Sequence, residues 1–87
     1  MTIAIGRAAT KLAGLLLDAG RDDEAAEAVT AGFRGSPDYY PLFAPRLRAV
    51  RKDRTRLEQA WRDTEEAIGH DENLQGLHQE LAGQAGW

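Results

Sequence analysis

Few side chains in this chain have the chemistry of catalysis or metal binding. His70 and His78 are the only histidines, Ser36 is the only serine, and cysteine is absent. The two histidines do not form the i, i+4 pair that places two imidazoles on one helix face to bind zinc. The sequence also lacks a recognisable nucleophile arrangement and a glycine-rich phosphate loop. We therefore predict a non-enzymatic protein without metal or cofactor, in which the ring of His78 packs beside Leu74 and Leu81.

Charged residues are segregated along the chain, although the net charge is only −3. Residues 46–56 carry six basic and one acidic side chain, and residues 57–87 carry one basic and seven acidic side chains. Three interpretations of the basic segment remain open: a solvated face with salt bridges to the acidic C-terminal helices, a surface for an acidic protein partner, or a nucleic-acid contact. The acidic total and the lack of interleaved aromatic residues disfavour the third. The basic members are Arg46, Arg48, Arg51, Lys52, Arg54 and Arg56.

The elements that must position these side chains are predicted to be helices. Apolar residues recur at intervals of three and four, which is typical of helices with one buried face. This spacing predicts a single all-α domain over residues 1–87, with about five helices: a hairpin at 8–34, a second hairpin at 41–68 and a closing helix at 72–83. At the first turn, Gly20 is expected to adopt a left-handed cap conformation.

Several residues mark helix ends. Asp22, Asp23 and Glu24 begin the second helix, where negative charge complements the helix dipole. Thr55 with Glu58 predicts a capping box, and Asp71 is expected to cap the last helix.

Prolines make the third helix hard to place. Because an internal proline removes a hydrogen bond and clashes with the preceding turn, a helix starting near Pro41 must kink at Pro45 or begin later.

The apolar spacing also predicts which residues form the core. Tyr39, Tyr40 and Phe43 lie between the hairpins, where burial and partner contact are both possible. The predicted core residues are Leu12, Leu16, Gly20, Ala25, Val29, Phe33, Leu57, Trp61, Ile68, Leu77 and Leu81.

The first hairpin resembles a tetratricopeptide unit, a helical hairpin of about 34 residues. The resemblance covers residues 9–37 without a gap, and it implies a right-handed stack of hairpins. The matching positions are Leu12, Ala13, Leu16, Gly20, Ala25, Val29 and Pro37.

The later segments narrow this resemblance. YPLFAPRLRAV, DRTRLEQAWRDTEEAIG and NLQGLHQELAG follow in an order similar to the C-terminal half of the bacterial transcriptional activator domain of actinobacterial regulators. This family implies a tetratricopeptide-like module that contacts other proteins. Regulators of this family carry a winged DNA-binding domain before the module, so the resemblance does not transfer DNA binding to the residues of this chain.

The resemblance implies a protein partner, contacted by a concave surface that the first helices of successive hairpins form. The alternative is a self-associating domain, since Ile3, Ile5 and the wide apolar arc of the first helix could be covered by a second copy. The candidate contact residues are Arg7, Lys11, Asp18, Arg48, Arg51 and Lys52.

The composition, 43% hydrophobic and 29% charged, is typical of a soluble folded domain. The apolar runs are too short to span a membrane. With no cysteine present, a cytoplasmic location is expected.

Overall fold

The computed structural model describes residues 2–86, with side chains from residue 4 onward, so Trp87 and the side chain of Ile3 lie outside the described part. It contains five α-helices and one turn of 3-10 helix: α1 Thr2–Asp18, α2 Asp22–Gly35, the 3-10 turn Tyr40–Leu42, α3 Phe43–Ala49, α4 Arg54–Ile68 and α5 Glu72–Gln84. Residues 2–86 include no β-strand, so the all-α prediction is confirmed. None of the described helices has the length and apolarity needed to cross a lipid bilayer.

The turn between α1 and α2 depends on a left-handed glycine. Gly20 has φ 75°, as the sequence predicted. Its N–H donates to the carbonyl of Leu17 at 3.0 Å, and the N–H of Arg21 donates to the carbonyl of Leu16 at 2.8 Å. These two bonds satisfy carbonyls that a helix end otherwise leaves unpaired, and they return α2 along α1 as an antiparallel hairpin.

Small residues bring α1 and α2 close together. A Cβ added to Gly32 would lie 2.6 Å from the Cβ of Ala9, so the two backbones approach more closely than a larger residue allows. Ala13 and Ala25 are fully buried in the same contact. The hairpin is therefore held by backbone proximity as well as by large side chains.

The two prolines are accommodated by a late helix start and not by a kink. Pro41 lies in the 3-10 turn, and α3 begins at Phe43. Pro45 then falls in the first turn of α3, where backbone N–H groups have no partner inside the helix and a missing donor costs little.

The segment 42–50 joins two hydrophobic clusters. Leu42 and Ala49 pack with Ala13, Ala25 and Val29 of the first hairpin. Phe43, Leu47 and Val50, in contrast, pack with the buried apolar residues of α4 and α5. Because α3 contacts all four other helices, this short helix is the centre of the fold.

Burial differs from the predicted core at two positions. Ala25, Val29, Leu57 and Leu81 are buried, whereas Leu16, Phe33, Trp61, Ile68 and Leu77 are partly buried. Leu12 is 50% exposed, because the helices packed against α1 cover Ala9, Ala13, Leu16 and Leu17 and leave Leu12 outside their contact, so its assignment to the core is wrong. Gly20 is exposed in its turn. Phe43, whose environment the sequence left open, is 1% exposed.

The observed helix caps confirm one of the predicted N-caps and contradict the other. Asp71 caps α5 as expected, since its carboxylate accepts a hydrogen bond from the Leu74 N–H at 2.9 Å. The capping box of Thr55 and Glu58 is wrong: α4 begins at Arg54, and Asp53 is its N-cap.

Candidate protein-binding groove

Helices α1, α3 and α5 form a surface groove with an apolar floor. Leu17 of α1 and Leu77 and Leu81 of α5 supply the apolar side chains. The main cavity has a volume of about 240 Å³. Its charged and polar walls are Asp18, Arg48, Arg51, Glu80 and Gln84.

A smaller cavity of about 190 Å³ continues this groove. It shares Arg51, Leu81 and Gln84 with the main cavity and adds Lys52 and Ala85. Together, the residues lining the two cavities are called the groove below.

The groove brings together four of the six residues that the sequence predicted for partner contact. Asp18, Arg48 and Arg51 line the main cavity, and Lys52 lines the smaller one. Arg7 and Lys11 are exposed on α1 but do not line these two cavities. The six predicted contact residues therefore divide into four that line the groove and two, Arg7 and Lys11, that lie outside it.

Part of the basic segment is paired with the start of α2. Arg51 and Lys52 lie 3.3 Å and 3.2 Å from the two carboxylate oxygens of Asp22, and Arg56 lies 3.5 Å from Asp23. One of the three interpretations of the basic segment was a solvated face with salt bridges to the acidic C-terminal helices, and Arg46, 2.7 Å from Asp63 of α4, forms such a pair. That interpretation is thus correct for Arg46 and wrong for the other three.

Arg48 differs from the other two groove cations, Arg51 and Lys52, because it forms no ion pair with a described carboxylate. Arg51 is 29% exposed, and besides facing Asp22 it donates from Nη1 to the carbonyl of Arg48 at 2.7 Å, which satisfies a carbonyl at the end of α3. Arg48 itself is exposed, and no carboxylate among residues 4–86 forms an ion pair with it. A partner carboxylate can therefore reach Arg48 without displacing an internal salt bridge.

The α5 wall was only partly recognised in the sequence. Leu77 and Leu81 were predicted as core, whereas Glu80 and Gln84 were not selected. Spacing of three and four residues places all four on one helix face. Recognising them required knowing that α5 lies beside α3, which the spacing within α5 does not indicate.

His78 lies in an aromatic contact on another surface of α5. Its ring stacks on Trp61 with centroids 5.1 Å apart and an angle of 5° between the planes. Its Nε2 lies 3.2 Å from Oε1 of Glu58. The predicted packing beside Leu74 and Leu81 did not include this partner from α4. Residues 2–86 contain no cluster of three or more His, Asp and Glu side chains suited to a metal ion.

Tyr40 connects the 3-10 turn to the beginning of α5. Its hydroxyl donates to Oδ1 of Asp71 at 3.2 Å. Desolvation, followed by this hydrogen bond and the negative charge of Asp71, raises the pKa of Tyr40 above its ordinary value of 10.0. The contact stabilises the N-cap carboxylate and belongs to the scaffold rather than to the groove.

The fold and the groove define a class: a small all-α protein with an amphipathic groove across its first, third and fifth helices. Comparisons of the chain with protein-family models, with curated proteins and with solved structures gave no significant match.

Proposed function

We propose that this protein is a non-enzymatic interaction module that binds a segment of a partner protein in the groove. The observation that supports this proposal is the combination of an apolar floor with the exposed guanidinium of Arg48. The floor consists of Leu17, Leu77 and Leu81. Apolar anchors supply most of the affinity of a peptide, and a charge at the rim fixes its orientation. The preferred ligand is a segment with apolar side chains and at least one carboxylate.

The arrangement of the helices supports a tetratricopeptide-like stack. The helices that line the groove are the first helices of two successive hairpins and the closing helix, which are the ones expected on the concave face.

The biological setting we propose is regulation of transcription in bacteria. This proposal depends on the order of the sequence segments that resemble the bacterial transcriptional activator domain. In that setting the module contacts a protein of the regulatory machinery. Nucleic acid is a weaker candidate because Arg51, Lys52 and Arg56 face the carboxylates of α2.

Selection from a displayed random-peptide library tests the binding function. We expect enriched peptides to combine apolar and acidic residues, and to shift the amide resonances of groove residues in ¹H–¹⁵N NMR spectra. Arg48→Glu should weaken binding at least about tenfold, because it places like charge against the peptide carboxylate. Arg54→Glu is the matched control, since Arg54 is exposed outside the groove.

Two results would contradict the proposal. The first is failure to select any peptide that binds the folded protein. The second is a peptide whose affinity is unchanged by Arg48→Glu and whose resonance shifts lie outside α1, α3 and α5. A bacterial reporter, activated by the module fused to an unrelated DNA-binding domain, tests the regulatory setting: it should respond to the wild-type module and not to Arg48→Glu.

A further inference from the structure

The outer face of α1 is apolar and uncovered over most of the helix. Ile5, Leu12 and Leu15 are 47%, 50% and 60% exposed. Single exposed apolar residues are ordinary on a protein surface, but a continuous exposed apolar patch marks an interaction site. The face consists of Ala4, Ile5, Ala8, Leu12, Leu15 and Ala19, all exposed.

These residues form one stripe along the helix. At 3.6 residues per turn they fall within an arc of about 100°, and at 1.5 Å per residue they extend over about 22 Å. No charged residue of α1 falls within this arc. We call these six residues the outer face.

Most of the outer face is left uncovered by the rest of the monomer because α1 packs mainly through its other side. Ile5, at the edge of the outer face, also contacts Gly35 of α2. Gly6 lies against the ring of Tyr39, and Ala9 lies against Gly32 of α2. Ala13 is fully buried between the helices. The outer face remains exposed beside this contact, and its six residues are distinct from those that line the groove.

Charged residues border the outer face along one side. Arg7 and Lys11 lie toward its N-terminal end and Asp18 lies at its C-terminal end, all three exposed. None of them forms an ion pair with another side chain of residues 4–86. The border therefore carries positive charge at one end and negative charge at the other.

We propose that the outer face binds a second copy of this chain, with the two α1 helices antiparallel. A two-fold axis between antiparallel helices brings the same border of each helix together, in reversed direction. Arg7 and Lys11 of one copy then face Asp18 of the other, and this complementarity occurs twice. A parallel pair does not bring these charges together.

The outer face is also suited in shape and size to a reversible dimer. Ala8 and Ala19 allow the two helices to approach closely, while Leu12, near the middle of the stripe, meets the same region of the second copy. A contact of about 22 Å by about 10 Å is smaller than the interface of a standard stable complex, near 800 Å² per partner. The dimer is therefore expected to form at high protein concentration and to dissociate on dilution.

Sedimentation equilibrium over a range of protein concentrations tests the dimer. The wild-type protein should change from monomer to dimer, and Leu15→Glu should weaken association at least tenfold. Leu15 is exposed, so circular dichroism should show that this variant remains folded. Gln79→Glu, which adds the same charge at an exposed position of α5, should leave association unchanged. A wild-type protein that stays monomeric at millimolar concentration overturns the proposal.

Charge exchange tests the antiparallel orientation. Asp18→Lys and the double variant Arg7→Glu/Lys11→Glu should each associate more weakly than wild type, because each makes the border of one charge sign. An equimolar mixture of the two should form a heterodimer at least as strong as the wild-type dimer. Failure of the mixture to associate overturns the antiparallel arrangement.

The dimer and the groove can be distinguished experimentally. Leu15→Glu should retain peptide binding, and Arg48→Glu should retain dimerisation. Loss of dimerisation in Arg48→Glu would place the second copy in the groove, which contradicts the assignment to the outer face.

Discussion

At the scale of single residues, Asp63 shows how one carboxylate connects two helices. It accepts hydrogen bonds from Nη2 of Arg46 at 2.7 Å and from Nε2 of Gln59 at 2.9 Å. Partial burial opposes its ionisation, but these hydrogen bonds and the charges of Arg46 and Arg62 outweigh that effect and lower its pKa below the ordinary 3.8.

This lowered pKa predicts a pH dependence of stability. Because the folded protein binds a proton less readily than the unfolded chain, the stabilisation by Asp63 is complete above the unfolded pKa near 3.8 and is lost as the pH falls through the lower folded pKa. Asp63→Asn should reduce the loss of stability in that acidic range, measured by urea denaturation at several pH values. Asp38→Asn, at an exposed position, is the control. Identical pH profiles for Asp63→Asn and wild type would contradict the assignment.

The sequence predicts which side of a helix a residue lies on more readily than it predicts which residue of another helix it contacts. Its spacing placed His78 with the apolar residues of α5, but the stacking partner, Trp61, comes from α4. Seventeen positions separate the two residues, and helical spacing carries no information about how two helices are rotated against each other. For the same reason, helical spacing does not predict the contact between Asp63 of α4 and Arg46 of α3.

At the scale of elements, helix α4 shows that a capping motif can predict a helix start two residues too late. Thr55 and Glu58 have the spacing of a capping box, yet Asp53 occupies the N-cap position and accepts a hydrogen bond from the Arg56 N–H at 3.2 Å. Both candidates satisfy the residue preferences of an N-cap. The choice depends on where the chain leaves α3, which is set by packing.

The two candidates can be separated by mutation. Asp53→Ala should lower the free energy of unfolding by about 1 kcal/mol, because it removes the acceptor that satisfies a terminal N–H. Thr55→Ala should change the free energy by less than about 0.5 kcal/mol, since alanine is tolerated in the first helical turn. Chemical denaturation monitored by circular dichroism measures both. The opposite ranking would restore the capping box at Thr55.

Two glycines of the first hairpin should respond to alanine in opposite directions. Gly14 lies within α1, and an added Cβ meets nothing within 4 Å, so Gly14→Ala should stabilise the protein by about 0.5 to 1 kcal/mol. Gly20 has φ 75°, so Gly20→Ala should destabilise it by about 1 to 2 kcal/mol. Thermal unfolding of both variants measures the contrast, and destabilisation by Gly14→Ala would indicate a contact missing from the described packing.

At the scale of the whole molecule, local signals predicted the helices, while the surfaces depend on how the helices pack. The left-handed turn at Gly20 and the N-cap at Asp71 are local features that the residues themselves specify. Leu12 is different: its apolar character indicated burial, but its exposure depends on which side of α1 the rest of the chain covers. The groove likewise exists only because α3 places α1 and α5 on either side of it.

Electrostatic contacts hold the end of α3 against the beginning of α2. Arg51 and Lys52 both face Asp22, whose side chain is only 15% exposed. Asp22 also lies in the first turn of α2, where its charge favours the helix dipole. These contacts join residues that are about 30 positions apart in sequence, so they link the first hairpin to the central helix.

Reversing both cations should therefore destabilise the whole domain. In Arg51→Glu/Lys52→Glu, two new carboxylates approach Asp22, and we expect the free energy of unfolding to fall by about 1 kcal/mol or more, because like charge replaces two favourable ion pairs. Arg54→Glu makes a similar change at an exposed site at the start of α4, where negative charge suits the helix dipole, so it should cause little loss. Adding Asp22→Lys to the double variant should recover part of the stability, measured by urea denaturation at low salt. Equal stability of the double variant and wild type would mean that Asp22 does not join these elements energetically, and the basic segment would then be free for a partner.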